Sequence, residues 1–191
     1  MSFGYDYRID VIDDAIKEAV RQEIIIFAAA ANHGARNKIA WPANSSHVIC
    51  VHAANGFCSS STFTPAPSDG MPNFTILGEA VESFWISDSG DNRKKHNTMK
   101  RKSGTSFAAP ILAAYCATIL YYVRLKFAPA RQRLITYAKT KEGMVAILRH
   151  PGLLERKKSL GYSVVIPWGL KTTSLHDQLV ERLEGKGRHT E

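Results

Sequence analysis

From Ile9 to Glu23 the apolar positions Ile9, Val11, Ile12, Ile16, Ala19 and Val20 recur at helical spacing, with Asp10, Asp13, Asp14, Lys17, Glu18 and Arg21 between them. That period predicts an amphipathic surface helix. The run Ile24 to Ala30 follows without a polar break and with β-branched residues at its start, as in a strand buried on both faces. Val48-Ile49-Cys50-Val51 reads the same way after a loop rich in Gly, Asn and Pro. A helix followed by continuously apolar strands predicts a parallel α/β sheet, whereas an antiparallel sandwich would show strict alternation.

Further on, residues 54–73 are rich in Ser, Pro, Gly, Asn and Thr and read as loop, with at most a short strand around Ser61 to Phe63. Phe74 to Leu77 and Ala80 to Ile86 are brief extended candidates, and Asp88 to Lys102 reads as a polar loop. A long helix is predicted from about Ser106 to Lys126 and another from Arg131 to His150, the latter weakened by Gly143 and stopped by Pro151-Gly152. The segment Gly161 to Trp168 offers one more strand, and Ser174 to Leu183 a last amphipathic helix. Within the long helix, Phe107 to Val123 is apolar but shorter than the roughly 20 residues of a membrane span, and it carries Pro110. A buried helix, with no membrane partner, is therefore expected.

Composition changes this picture little: 191 residues, 45% apolar and 22% charged, describe an ordinary globular chain. Charge is lopsided, with 5 basic and 10 acidic side chains in residues 1–90 against 20 and 7 in residues 91–191. The basic cluster Arg93 to Lys102 admits an acidic or polyanionic partner, but no aromatic interleaves it and no nucleic-acid motif surrounds it, so a solvated loop is the simpler expectation. Cys50, Cys58 and Cys116 have no paired metal spacing, so no metal or other cofactor is expected. The sparse cysteines and the absence of a signal-like start favour an intracellular setting.

Candidate chemistry concentrates in Gly104-Thr105-Ser106-Phe107-Ala108-Ala109-Pro110, where a polar loop turns into the long apolar helix. A serine there sits among unpaired backbone N–H groups at the positive end of the helix dipole, which favours negative charge developing beside it. By local physics alone an ordinary N-cap is the simpler explanation of the same residues.

The whole string resembles the nucleophile motif of the subtilisin-like serine proteases, Gly-Thr-Ser-x-Ala/Ser-x-Pro. Upstream, Ile24 to Gly34 is similar to that family's apolar strand ending in Ala-rich sequence and Asn-x-Gly, and Trp41-Pro42 to its aromatic-proline pair, where the family tends to use a cis peptide. Ser2-Phe3-Gly4 is similar to the strand that walls the primary specificity pocket. The resemblance implies Ser106 as nucleophile and Asn32 as the side-chain donor of the oxyanion hole. It further implies Thr105 as a brace, Ala29, Ala30 and Ala31 as the second pocket wall, and a peptide or protein substrate. Many relatives carry Gly just before the Asn, where this chain has Ala31.

The family order of catalytic residues is Asp, then His, then Ser, and the first two belong to segments that precede the counterpart of Ser2-Phe3-Gly4. Asp88-Ser89-Gly90 and His33-Gly34-Ala35 imitate those segments, but the first is only 18 residues before Ser106 and the second falls in the oxyanion loop. The resemblance thus implies the C-terminal half of a subtilisin-like catalytic domain over residues 1–150, a partial parallel sheet flanked by helices, with a basic extension over 151–191 similar to that of some large fungal members. A missing N-terminal half is the implied partner, and the chain by itself is expected to be inactive. The alternative is a non-catalytic fragment or pseudoenzyme that serves as a protein-binding module.

Overall fold

The computed structural model describes residues 1–86, 97–127, 131–155 and 161–167. Helix α1 (Asp10–Arg21) leads into strand β1 (Phe27–Ala29), followed by β2 (Ile49–Ala54) and β3 (Phe74–Leu77). A two-stranded ribbon, β4 (Val81–Ile86) and β5 (Asn97–Lys102), stands between β3 and the long helix α2 (Thr105–Phe127). Helices α3 (Gln132–Ala138) and α4 (Lys141–Leu148) follow, then strand β6 (Ser163–Val164).

Strands β1, β2, β3 and β6 form one parallel sheet in that order, with Phe27 opposite Ile49, Val51 opposite Phe74 and Phe74 opposite Ser163. Because side chains alternate across a strand, β2 divides its residues between two cores. Ile49, Val51 and Ala53 pack with Phe74 and Ile76 against Ala108, Leu112, Cys116 and Ile119 of α2. Cys50, with Ala28 and Ala30, packs beneath Ile16 of α1 and Trp41. The apolar stretch expected to be a core helix thus faces the sheet along α2, which is also long and apolar enough to pass for a membrane span by length and composition.

Several elements depart from the sequence reading. The strand expected over Ile24 to Ala30 begins only at Phe27, because the chain is still closing α1: Glu23 adopts φ 59° and the Ile24 N–H donates to the Ala19 carbonyl. β2 runs three residues past Val51, where buried His52 and two alanines carry no strand-like pattern. No strand forms around Ser61 to Phe63. The helix expected from Arg131 to His150 is two helices. Thr140 caps the second, its hydroxyl accepting from the Gly143 N–H at 3.0 Å, and a Cβ at Gly143 would collide with the Tyr137 backbone. That glycine marks a close approach rather than a weak helix interior. Six residues of the polar loop expected over Asp88 to Lys102 are strand, since β5 pairs with β4 in full register from Val81–Lys102 to Ile86–Asn97. Its mainly polar sequence conceals a strand whose described side chains, Met99 to Lys102, are exposed. The extension contributes β6 on the outer side of β3, whereas the helix expected over Ser174 to Leu183 lies outside the described residues.

Candidate active site

The parallel sheet directs the ends of β1 and β3 to one edge, where the turn into α2 also lies. β1 leads into Ala31-Asn32, and β3 leads through Gly78, whose carbonyl accepts the Gly104 N–H at 2.8 Å. The turn at Gly104 is buried, has φ 158°, and a Cβ there would sit 3.3 Å from the Asn32 amide nitrogen. Only glycine leaves that approach open.

Asn32 and Thr105 are locked together. The Asn32 side-chain oxygen accepts the Thr105 backbone N–H at 2.8 Å and lies 3.1 Å from the Thr105 hydroxyl. That hydroxyl accepts from the Ala31 N–H at 3.3 Å and stands 3.2 Å from the Ala31 carbonyl. With one proton it donates to Asn32 or to Ala31 at any moment, not to both. Two donors on Thr105 fix which end of the Asn32 amide is oxygen, so Nδ2 faces outward, and it makes no hydrogen bond to the described residues. Ser106 is the second residue of α2, so its own N–H has no intrahelical acceptor. Two uncommitted donors therefore belong to residues that share one pocket.

That pocket holds about 200 Å³ and is lined by Ser2, Phe3, Gly4, Ala29, Ala31, Asn32, Thr105 and Ser106 among others. It gathers most of the residues picked from the sequence. Ala30 is fully buried behind the wall. Tyr5, Asp6, His33 and Ala40 also line it and were not foreseen as pocket residues. The one available signal for Ala40 was its place just before Trp41-Pro42, whose peptide bond is cis. Trp41 in turn exchanges backbone hydrogen bonds with Tyr5, holding the Ser2 to Tyr5 segment against the loop.

Ser106 is half-buried, and its hydroxyl donates to the Ser2 carbonyl at 3.3 Å while the Ser2 hydroxyl donates to the Ser106 carbonyl at 3.0 Å. No histidine or carboxylate is hydrogen-bonded to Ser106 among the described residues. His33 is exposed on the same pocket without such a bond. Asp88 and His96 lie outside the described residues, as do His176 and His189. The remaining titratable surprise does not line that pocket. His52 is completely buried, its Nδ1 3.1 Å from the Thr64 hydroxyl and its ring edge-on to Tyr162. Burial pulls its pKa down to about 4 and pushes the neighbouring Cys50 thiol up to about 12. Both are core groups.

Comparison with known proteins gives this geometry a context. The sequence matches the Subtilase family over residues 1–187. A subtilisin-like protease of Podospora anserina, het-Q2, is 31% identical over 112 residues, which are 57% of this chain and 29% of that protein. Among solved structures, a mutant of the protease domain of PatA superposes with a TM-score of 0.64 at 20% identity, covering 93% of this chain and 58% of that one. The prenylagaramide maturation protease PagA superposes at 0.60 and 17% identity, covering 95% and 58%. The chain spans less than two thirds of each of these relatives. A family match that runs nearly end to end, on a sheet and helix arrangement shared with protease domains, places the chain in the subtilase family.

Proposed function

We propose that this chain carries the nucleophile and oxyanion-binding part of a serine endopeptidase, with Ser106 as nucleophile and Asn32 as the side-chain oxyanion donor. The observation that carries the reading is that the Asn32 oxygen is spent on Thr105, which leaves its Nδ2 without a hydrogen bond to the described residues, while Asn32 and Ser106 line one pocket. In the reaction the Ser106 oxygen bonds to the carbonyl carbon of a peptide, and its proton passes to a base. The carbonyl oxygen takes the negative charge between the two donors. The C–N bond then breaks, the base returns the proton to the leaving amine, and water hydrolyses the acyl-enzyme. Ser2, Phe3 and Gly4 form one wall for the substrate side chain, Ala29 and Ala31 the other with Ala30 buried behind it, and Thr105 braces the donors.

The base and its orienting acid are assigned to an N-terminal half of the domain, outside these 191 residues. With the Ser106 hydroxyl given to the Ser2 carbonyl, the serine by itself is unactivated. The same contact favours the second reading, a binding module that never reacts.

A fluorophosphonate probe and a fluorogenic peptide assay test both. The chain alone is expected to give no labelling and no turnover. Adding the segment that carries the family Asp and His is expected to produce both, and Ser106→Ala to abolish them. Robust hydrolysis by the chain alone would defeat the divided-site reading, and inertness of the reconstituted pair would favour the binding module.

A further inference from the structure

The ribbon between β3 and α2 is the part of the chain least explained by a peptidase site. Phe84 is 73% exposed and Met99, directly opposite it, 52% exposed. Their shared face also carries the Glu82–Arg101 pair, 3.4 Å apart. The other face carries Lys100 opposite Ser83 and Lys102 opposite Val81, with the Lys102 ammonium 3.8 Å above the Trp85 ring. One face thus carries two exposed apolar side chains beside an ion pair, and the other two lysines with Val81 and Trp85. Both outer edges of the ribbon lack a neighbouring strand among the described residues. Two strands by themselves are marginal in water, and unpaired edges offer backbone donors and acceptors to a third.

We propose that the ribbon is a docking site for an extended protein segment in which acidic and apolar residues alternate, added as a third strand along its edge. Strand addition sends successive side chains of the guest to opposite faces. Its apolar residues then cover Phe84 and Met99, and its carboxylates meet Lys100 and Lys102. Charge complementarity selects the guest, since the described ribbon carries Lys100, Arg101 and Lys102 against Glu82 alone. Alternation distinguishes it from a polyanion held by charge only. This surface does not depend on Ser106 reacting, so it stands or falls apart from the peptidase reading.

Fluorescence anisotropy of the full chain with a labelled peptide of about ten alternating Glu and Val residues tests it. A peptide of identical composition in two blocks, phosphatidylserine vesicles and a single-stranded oligonucleotide are the comparators. Saturable binding of the alternating peptide is expected, about tenfold weaker for the block peptide and for Lys100→Glu/Lys102→Glu. A similar loss is expected for Phe84→Ser/Met99→Ser, with the far-ultraviolet circular dichroism of both variants unchanged. Equal binding of the two peptides, tighter binding of vesicles or oligonucleotide, no binding at all, or indifference to the paired substitutions would overturn the proposal.

Discussion

Pro110 stands four residues after Ser106, so the Ser106 carbonyl has no helical N–H to accept, and the Ser2 hydroxyl donates to it at 3.0 Å instead. Proline in a helix interior removes the bond to the residue four back. Here that gap ties the pocket segment at Ser2 to the Ser106 backbone. Pro110→Ala restores the helical donor and is expected to stabilise the chain by about 1 kcal/mol in urea titrations, while the amides around Ser2 to Gly4 exchange faster. Unchanged exchange there would show that the wall is held by Trp41 and Tyr5 alone.

The two ends of the Asn32 amide can be separated by substitution. Asn32→Asp keeps the oxygen that accepts from Thr105 and removes the outward donor, whereas Asn32→Ala removes both. The aspartate variant is expected to retain stability, and the alanine variant to lose about 1–2 kcal/mol from the unsatisfied Thr105 N–H. In the reconstituted enzyme both are expected to lose about two to three orders of magnitude in turnover, the size known for an oxyanion asparagine in subtilisin. Denaturant titration and kcat measured on the same preparations check the split.

Ala31 adopts φ 130°, a conformation that L side chains rarely take, and its N–H and carbonyl are both within reach of the Thr105 hydroxyl. The strain is tolerated because Thr105 fixes the backbone on either side. Ala31→Gly relieves about 1–3 kcal/mol of strain against about 0.4–1 kcal/mol of added unfolded-state entropy. A net gain of about 1 kcal/mol is expected in chemical denaturation.

His52 sets an acid limit. Its folded pKa of about 4 lies below the ordinary 6.5, mainly through burial, so between those values the unfolded chain binds a proton that the fold refuses. Stability is full above pH 6.5 and falls as the pH drops toward 4, by about 3 kcal/mol if His52 acts alone. Unfolding free energies across that window, compared with His52→Gln, should show a slope that the variant loses.

How much of this was legible in the sequence follows from what each signal measures. Continuous apolar runs announced β1 and β2, since burial on both faces leaves no room for polar residues. Gly104 to Pro110 announced the candidate site, since the close approach at Gly104, the Thr105 contacts, Ser106 and the missing helical donor at Pro110 fall within seven positions. β5 was hidden because its described side chains, Met99 to Lys102, stay exposed and no hydrophobic period marks it. Tyr5, Asp6 and Ala40 were missed as pocket residues because their role comes from the long-range Tyr5–Trp41 pairing, which no local spacing encodes. The break at Thr140 was missed because a single hydrogen-bonded cap outweighed a helical pattern that otherwise ran on.

The feet of the ribbon are clipped twice, Gly104 N–H to the Gly78 carbonyl at 2.8 Å and Ala80 N–H to the Ser103 hydroxyl at 2.9 Å. Because the turn into α2 is held to Gly78 and to Asn32, substitutions along the described strands beyond those clips are expected to leave Ser106 in place. The chain thereby isolates a part free to change its contacts from a part whose tolerance is a fraction of an ångström.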